Sequence, residues 1–104
     1  MMAIWAGSFE LTDTKTANYQ CKNAEIVPVD TSGGTFIVSA PLIAALGQSA
    51  SFGVQMQDQK NPITIFALES MAQPRIGLPA VASFDILFDG CLYWCFNGTD
   101  WFLI

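Results

Sequence analysis

The chain of 104 residues contains no histidine. That absence removes the Ser-His-Asp and Cys-His arrangements, histidine metal sites and the commonest general base. Charge is scarce as well: 12% of residues are charged, against about 25% in an average domain. The four cations, Lys15, Lys22, Lys60 and Arg75, face nine acidic residues for a net charge of −5. They do not cluster in the sequence, which argues against a nucleic-acid footprint and against an anionic membrane surface. Long apolar runs are missing too. "TFIVSAPLIAALGQSA" is broken by Ser39 and Pro41 and is too short to span a bilayer. "MMAIWAGSFE" lacks the basic segment and long apolar run of a secretory signal. These features predict a soluble protein made in a cytoplasm. Cys21, Cys91 and Cys95 are odd in number and come without a signal, so reduced core thiols are expected rather than a disulfide framework.

What the sequence does have is apolar side chains. Hydrophobic residues make up 52% of a length that suits a single domain, residues 1–104. So much apolar surface is hard to hide in a small monomer, and burial against another subunit is the expected outlet.

Strand and turn signals fill the chain. "EIVPVD" is β-branched and runs into "TSGG", with "TFIVSA" as the returning strand, so a hairpin with a longer loop is expected. Pro28 has no N–H and calls for an edge position or a bulge. "PLIAALG" is the one candidate helical turn, with Pro41 at its start and Gly47 as its cap. "ASFGVQMQ" alternates Phe52, Val54 and Met56 with small or polar neighbours, and "PITIFAL" is the next strand. "ESMAQPRIGLPA" reads as an irregular connection, while "AIWAGSFEL" and "NYQCKNAE" are further strands. "VASFDILF", "CLYWCF" and "DWFLI", separated by Asp89-Gly90 and Asn97-Gly98, predict a three-stranded antiparallel meander with a type I′ turn at Asn97-Gly98. No repeat of solenoid length is apparent. The expected class is all-β, a compact antiparallel sandwich or barrel with at most one short helical turn.

Candidate chemistry is thin. Asp85 and Asp89 would share a strand face as a glycosidase-like carboxylate pair, but a solvated face and a turn account for them better. Cys91 and Cys95, four apart, would join Cys21 in a soft-metal site only without a fourth ligand, so no metal and no cofactor is expected. Asn97-Gly98-Thr99 matches the glycosylation acceptor pattern but reads as a turn, as does "TSGG" without a following lysine and helix. An enzyme is therefore not expected.

The aromatics carry more information. Trp5, Phe9, Tyr19, Tyr93, Trp94, Trp101 and Phe102 suit a core, a subunit interface or a sugar-stacking platform. Tyr93 and Trp94 point to opposite faces of one strand, and Trp101 and Phe102 to opposite faces of another, so both faces of the last hairpin are apolar. One face packs on the domain's own core, and subunit contact is the favoured cover for the other. One of Trp94 and Trp101 would anchor the interface while the other sits in the core.

The series "VPVDTSGGTFIVSAP", "GQSASFGVQMQD", "NPITIF", "ASFDILFDG" and "GTDWFLI" resembles a small β-module of tailed bacteriophage virion proteins, over residues 26–104. The chain departs from that module in "FDGCLYWCFNGTDWF", which inserts an extra strand and hairpin, and at Gln48, where an acidic residue is usual. The resemblance implies an oligomeric, typically trimeric, β-protein on the particle exterior with no catalytic residues. The function it implies first is a capsid decoration, or cement, protein that binds itself and the major capsid protein and stabilises the head shell. The alternative is a tail-fibre or receptor-binding component contacting a host glycan through exposed aromatics. The expected oligomer or capsid interface is Trp5, Trp94, Trp101, Phe102 and Ile104.

Overall fold

The computed structural model describes residues 9–42, 50–58, 60–68 and 70–104. The helical turn expected around "PLIAALG" falls largely outside these residues. The described residues form nine strands: β1 (Glu10–Leu11), β2 (Tyr19–Gln20), β3 (Glu25–Val29), β4 (Ile37–Ser39), β5 (Ser51–Met56), β6 (Ile63–Phe66), β7 (Ser83–Ile86), β8 (Gly90–Phe96) and β9 (Trp101–Leu103). They make two sheets, one of five strands in the order β1-β3-β5-β8-β9 and one of four in the order β2-β4-β6-β7. The fold is all-β, as the alternating patterns predict.

The strand directions are mixed rather than antiparallel throughout. β1, β3 and β5 are mutually parallel neighbours in the first sheet, and β2, β4 and β6 are parallel neighbours in the second. The chain therefore winds as a coil of three turns, each placing one strand in either sheet. β7, β8 and β9 then close the coil with antiparallel pairings, β7 on β6, β8 on β5 and β9 on β8.

Two sequence expectations are corrected by this winding. β3 and β4 do not form a hairpin: "TSGG" carries the chain from the first sheet to the second, with Gly34 at φ 132° and its N–H on the Thr31 carbonyl at 2.9 Å. The three-stranded meander is likewise only a two-stranded hairpin. β7 belongs to the second sheet, and residues 87–89 cross to the first, where β8 begins at Gly90 with φ 87°. A turn dipeptide lets the backbone reverse, but it does not dictate that the next strand returns within the same sheet.

The third correction concerns repeats. Glu25 pairs with Phe52 and Val38 with Ile65, 27 residues further on in both sheets. The same offset stacks Val27 on Val54, Val29 on Met56 and Ile37 on Thr64. The inward positions of this repeat are buried and, apart from Glu25 opposite Phe52, apolar: Val27, Val29, Phe36, Val38 and Ala40 in one turn, Val54, Met56, Ile63, Ile65 and Ala67 in the next. The core is a ladder of like positions between the two sheets, capped by a cluster in which Trp94 stacks on Phe52 at 5.0 Å and Trp101 meets Phe52 edge-on at 5.0 Å. Phe84 of β7 reaches across from the other sheet to Trp94 at 6.4 Å.

The turns between the coils are stitched together. Buried Thr31 donates its hydroxyl to the Asn61 carbonyl at 2.5 Å, and Asn61 Nδ2 donates to the Thr31 carbonyl at 2.8 Å. Pro28 fits because its nitrogen faces the β1 side. The carbonyls of Ala24, Ile26 and Pro28 accept from the N–H groups of Glu10, Thr12 and Lys15, so these main chains point toward β1, which has ended at Leu11. The spacing from Thr12 to Lys15 contains one residue more than that from Ile26 to Pro28. The expected bulge exists, but in the partner segment.

Candidate interaction surfaces

Register decides which side chains the first sheet shows to the outside. Leu11, Ile26, Gly53, Tyr93 and Ile104 fall in one row that crosses all five strands, the last through the Ile104 N–H on the Tyr93 carbonyl at 3.2 Å. Ser51, Cys95 and Phe102 form the row beside it, and Pro28, Gln55 and Cys91 the row on the other side. These rows contain no charged side chain. The exposed members are Leu11 at 65%, Ile104 at 50% and Phe102 at 39%, whereas Pro28, Ser51 and Gly53 at the middle of these rows are buried. Tyr93 lies across Gly53, where an added Cβ would meet the ring at 2.9 Å, and Phe9 packs on Tyr93 at 5.6 Å. Glycine is needed at position 53 so that the tyrosine ring can lie flat on the sheet.

The outer face of the second sheet differs. Its rows run through Gln20, Ser39, Phe66 and Ser83, and through Ile37, Thr64 and Asp85, so polar groups and a carboxylate interrupt the apolar ones. Asp85 accepts from Thr64 Oγ1 at 2.6 Å.

Of the expected interface residues, Phe102 and Ile104 lie on the outer face of the first sheet. Trp94 and Trp101 do not divide between core and surface: both are 0% exposed, so neither ring can anchor a contact with another subunit. The reason is the alternation itself. Trp94 and Trp101 sit at inward positions of adjacent strands, facing Phe52 and Phe96. Trp5 lies outside the described residues. What sequence reasoning missed is the row through Leu11, Ile26 and Gly53; those residues are far apart in the chain, and only the parallel pairing of β1, β3 and β5 with the antiparallel pairing of β8 on β5 brings them into one row with Tyr93.

The apolar C-terminal stretch is held on both sides. β9 pairs with β8, and along its other edge the Gln73 N–H meets the Trp101 carbonyl at 2.9 Å while Trp101 N–H meets the Met71 carbonyl at 2.8 Å. Gln73 Oε1 accepts from Leu103 N–H at 3.1 Å, and the Gln73 carbonyl accepts from Trp94 Nε1 at 2.9 Å. The loop before β9 is not the expected type I′ turn. Asn97 keeps a negative φ, and its Oδ1 accepts from the N–H groups of Thr99 and Asp100, both at 2.9 Å, while Gly98 alone takes a positive φ of 98°.

Among the described residues no three of His, Cys, Asp and Glu come together as metal ligands. Cys21 is buried in the core just past β2, its N–H on the Ser39 carbonyl at 2.9 Å, whereas Cys91 and Cys95 lie on the outer face of the first sheet; all three are free thiols. Burial, and then the nearby Glu25 carboxylate, pushes the Cys21 thiol far above the ordinary thiol range. Burial raises Cys91 and Cys95 as well, Cys91 partly offset by its bond with Tyr93. Asp89 stands in the crossing between sheets, so it does not share a strand with Asp85. Glu25, buried, accepts from Tyr19 Oη at 2.8 Å and from Lys22 N–H at 2.9 Å; this is a structural link between the sheets. The sequence matches no protein-family model and no curated protein.

Proposed function

We propose that this chain is a structural assembly module, a decoration subunit of a phage head, that works by burying the outer face of its five-stranded sheet against a sister subunit and the shell. The observation that carries the reading is the apolar band through Leu11, Ile26, Gly53, Tyr93 and Ile104, flanked by Phe102 and Cys95, which holds no charged side chain and is exposed at Leu11, Phe102 and Ile104. The centres of protein interfaces are depleted in charge and enriched in aromatic residues. A stable contact buries about 1,200 Å² or more in total, and a cyclic oligomer multiplies that contact around the ring. The link to phage particles comes from the sequence resemblance and is a separate step from the surface argument.

Light scattering on the purified chain tests the surface. A trimer has a mass of three times 11.3 kDa, about 34 kDa. Phe102→Asp should shift the mass toward the monomer while leaving the far-ultraviolet β-signal unchanged, because the ring is on the outside. Binding to expanded empty heads, with a rise in their melting temperature, tests the shell role. Binding to host polysaccharide without binding to heads would favour the tail-fibre alternative, in which Phe9, Tyr93 and Phe102 would be the sugar-contacting rings.

A further inference from the structure

The two sheets are unequal, five strands against four, and the mismatch leaves an opening. β7 lies across from β8, as the contact of Phe84 with Trp94 records, but no strand of the second sheet lies across from β9. The opening is a groove of about 460 Å³ lined by Ile76, Leu78, Ile86, Phe88, Leu92 and Leu103, among others. Its only charged lining residues among those described are Arg75 and Asp85.

One wall of the groove is the outer edge of β7, which among the described residues is free from Ser83 on; just before it Val81 is paired with Ala72 through two main-chain bonds of 2.8 and 2.9 Å. The Ala82 carbonyl accepts from Ala67 N–H at 2.9 Å, so residues 82, 84 and 86 turn their main chains toward β6. By the alternation of an antiparallel ladder, Ser83 and Asp85 turn theirs outward. Among the described residues nothing pairs with those outward N–H and C=O groups. An unpaired row of main-chain groups beside an apolar slot is what an added strand requires.

We propose that the outer edge of β7 is a strand-addition site for an extended segment of a partner protein. The segment becomes the fifth strand of the second sheet, places alternate apolar side chains in the groove over Leu92 and Leu103, and sets a Lys or Arg opposite Asp85. Each requirement comes from one observation: an extended backbone from the unpaired groups, the apolar alternation from the groove lining, and the cation from the carboxylate on the outer face. A second copy pairing its own β7 about a two-fold axis at Asp85 would set two carboxylates directly opposite each other, which is unfavourable. The site is on the opposite sheet from the proposed shell-binding face, so either reading can fail without the other.

Amide hydrogen exchange on the full chain tests this, with a capped octapeptide of alternating Lys and Val as the probe and a block-ordered peptide of the same composition as the control. In the free chain, Ser83 and Asp85 amides should exchange fast while Phe84 and Ile86 are protected. The alternating peptide should slow Ser83 and Asp85, and the block peptide should not. Ser83→Pro removes an outward donor and spares the β6 ladder; it should weaken the probe about three- to tenfold, the worth of one net hydrogen bond. Asp85→Asn should weaken it through loss of the charge. If Ser83→Pro does not fold, the wild-type exchange pattern and Asp85→Asn still decide. No slowing at saturating peptide, equal binding of the block peptide, or protection of Ser83 and Asp85 without peptide in step with a dimer mass would each overturn the proposal.

Discussion

Trp94 and Trp101 are equally buried, yet replacing each by Phe should have different consequences. Both indoles stand on Phe52, and a phenyl ring keeps most of either contact, so the lost volume costs about 1–2 kcal/mol at each site. The nitrogens decide the rest. Trp94 Nε1 donates to the Gln73 carbonyl at 2.9 Å, so Trp94→Phe also leaves a carbonyl without its donor, a further ~1–2 kcal/mol. Trp101 Nε1 is buried and has no hydrogen-bond partner among the described residues, so Trp101→Phe removes a desolvated donor and recovers about 1–2 kcal/mol. Trp94→Phe should therefore cost about 2–4 kcal/mol while Trp101→Phe falls within about 1 kcal/mol of neutral. Urea unfolding followed by far-ultraviolet circular dichroism measures both without relying on tryptophan emission. All variants should be compared at one protein concentration, since oligomerisation makes apparent stability depend on it. A Trp101→Phe loss equal to or larger than that of Trp94→Phe would refute the assignment of the orphan donor.

Three further outcomes follow from particular residues. Ala24 sits at φ 63°, a conformation that side chains with a Cβ disfavour, so Ala24→Gly should leave stability unchanged or raise it by up to about 1 kcal/mol, and a clear loss in thermal melts would count against the backbone. Thiol titration with a chromogenic disulfide at mild alkaline pH should label at most Cys91 and Cys95 in the native protein, with Cys21 reacting only on unfolding; three reactive native thiols would contradict the burial of Cys21. Tyr19 is pushed up to about 12 by burial and by its bond to Glu25, so its contribution to stability is intact below pH 10 and is lost as pH rises from 10 toward 12. Urea midpoints should fall across that window more steeply for the wild type than for Tyr19→Phe, and identical pH profiles would show that the phenol is not held by the fold.

Strand locations were legible in the sequence because alternation of side chains is a local property. Phe52, Val54 and Met56 are inward on β5, and Asn97-Gly98 does separate the paired strands β8 and β9. Pairing partners were not legible. Asp89-Gly90 gives the same local signal as Asn97-Gly98, yet the first leads into another sheet and the second returns beside its own strand. What separates them is tertiary: β8 finds its partner in β5, more than thirty residues earlier, and the inward row of Trp94, Phe52 and Leu103 forms only in that arrangement. The proposed interface residues divide in the same way. Phe102 and Ile104 follow from alternation alone, but the choice between Trp94 and Trp101 presumed that the hairpin's faces alternate out of step.

The 27-residue repeat was hidden for a related reason. Of its inward positions only Val27 with Val54 and Ala40 with Ala67 keep the same residue; the others exchange Val for Met, Phe for Ile, Val for Ile and, at the start of the strand, buried Glu25 for Phe52. A parallel coil asks only that like positions be apolar and of compatible size, since each side chain meets its equivalents above and below rather than a unique partner. The polar loop positions are freer still, with "DTSGGT" opposite "QDQKNP" at equal length. Equal loop length is what keeps the register, because one added residue would turn the whole of β4 or β6 to the other face of its sheet. The coil therefore conserves spacing and polarity rather than residue identity. It also runs with two exposed ends unless something stops it, and β7, β8 and β9 stop it unequally, placing two strands beyond β5 but only one beyond β6. The same termination that buries both tryptophans under the first sheet leaves β7 with an unpaired edge beside an apolar groove.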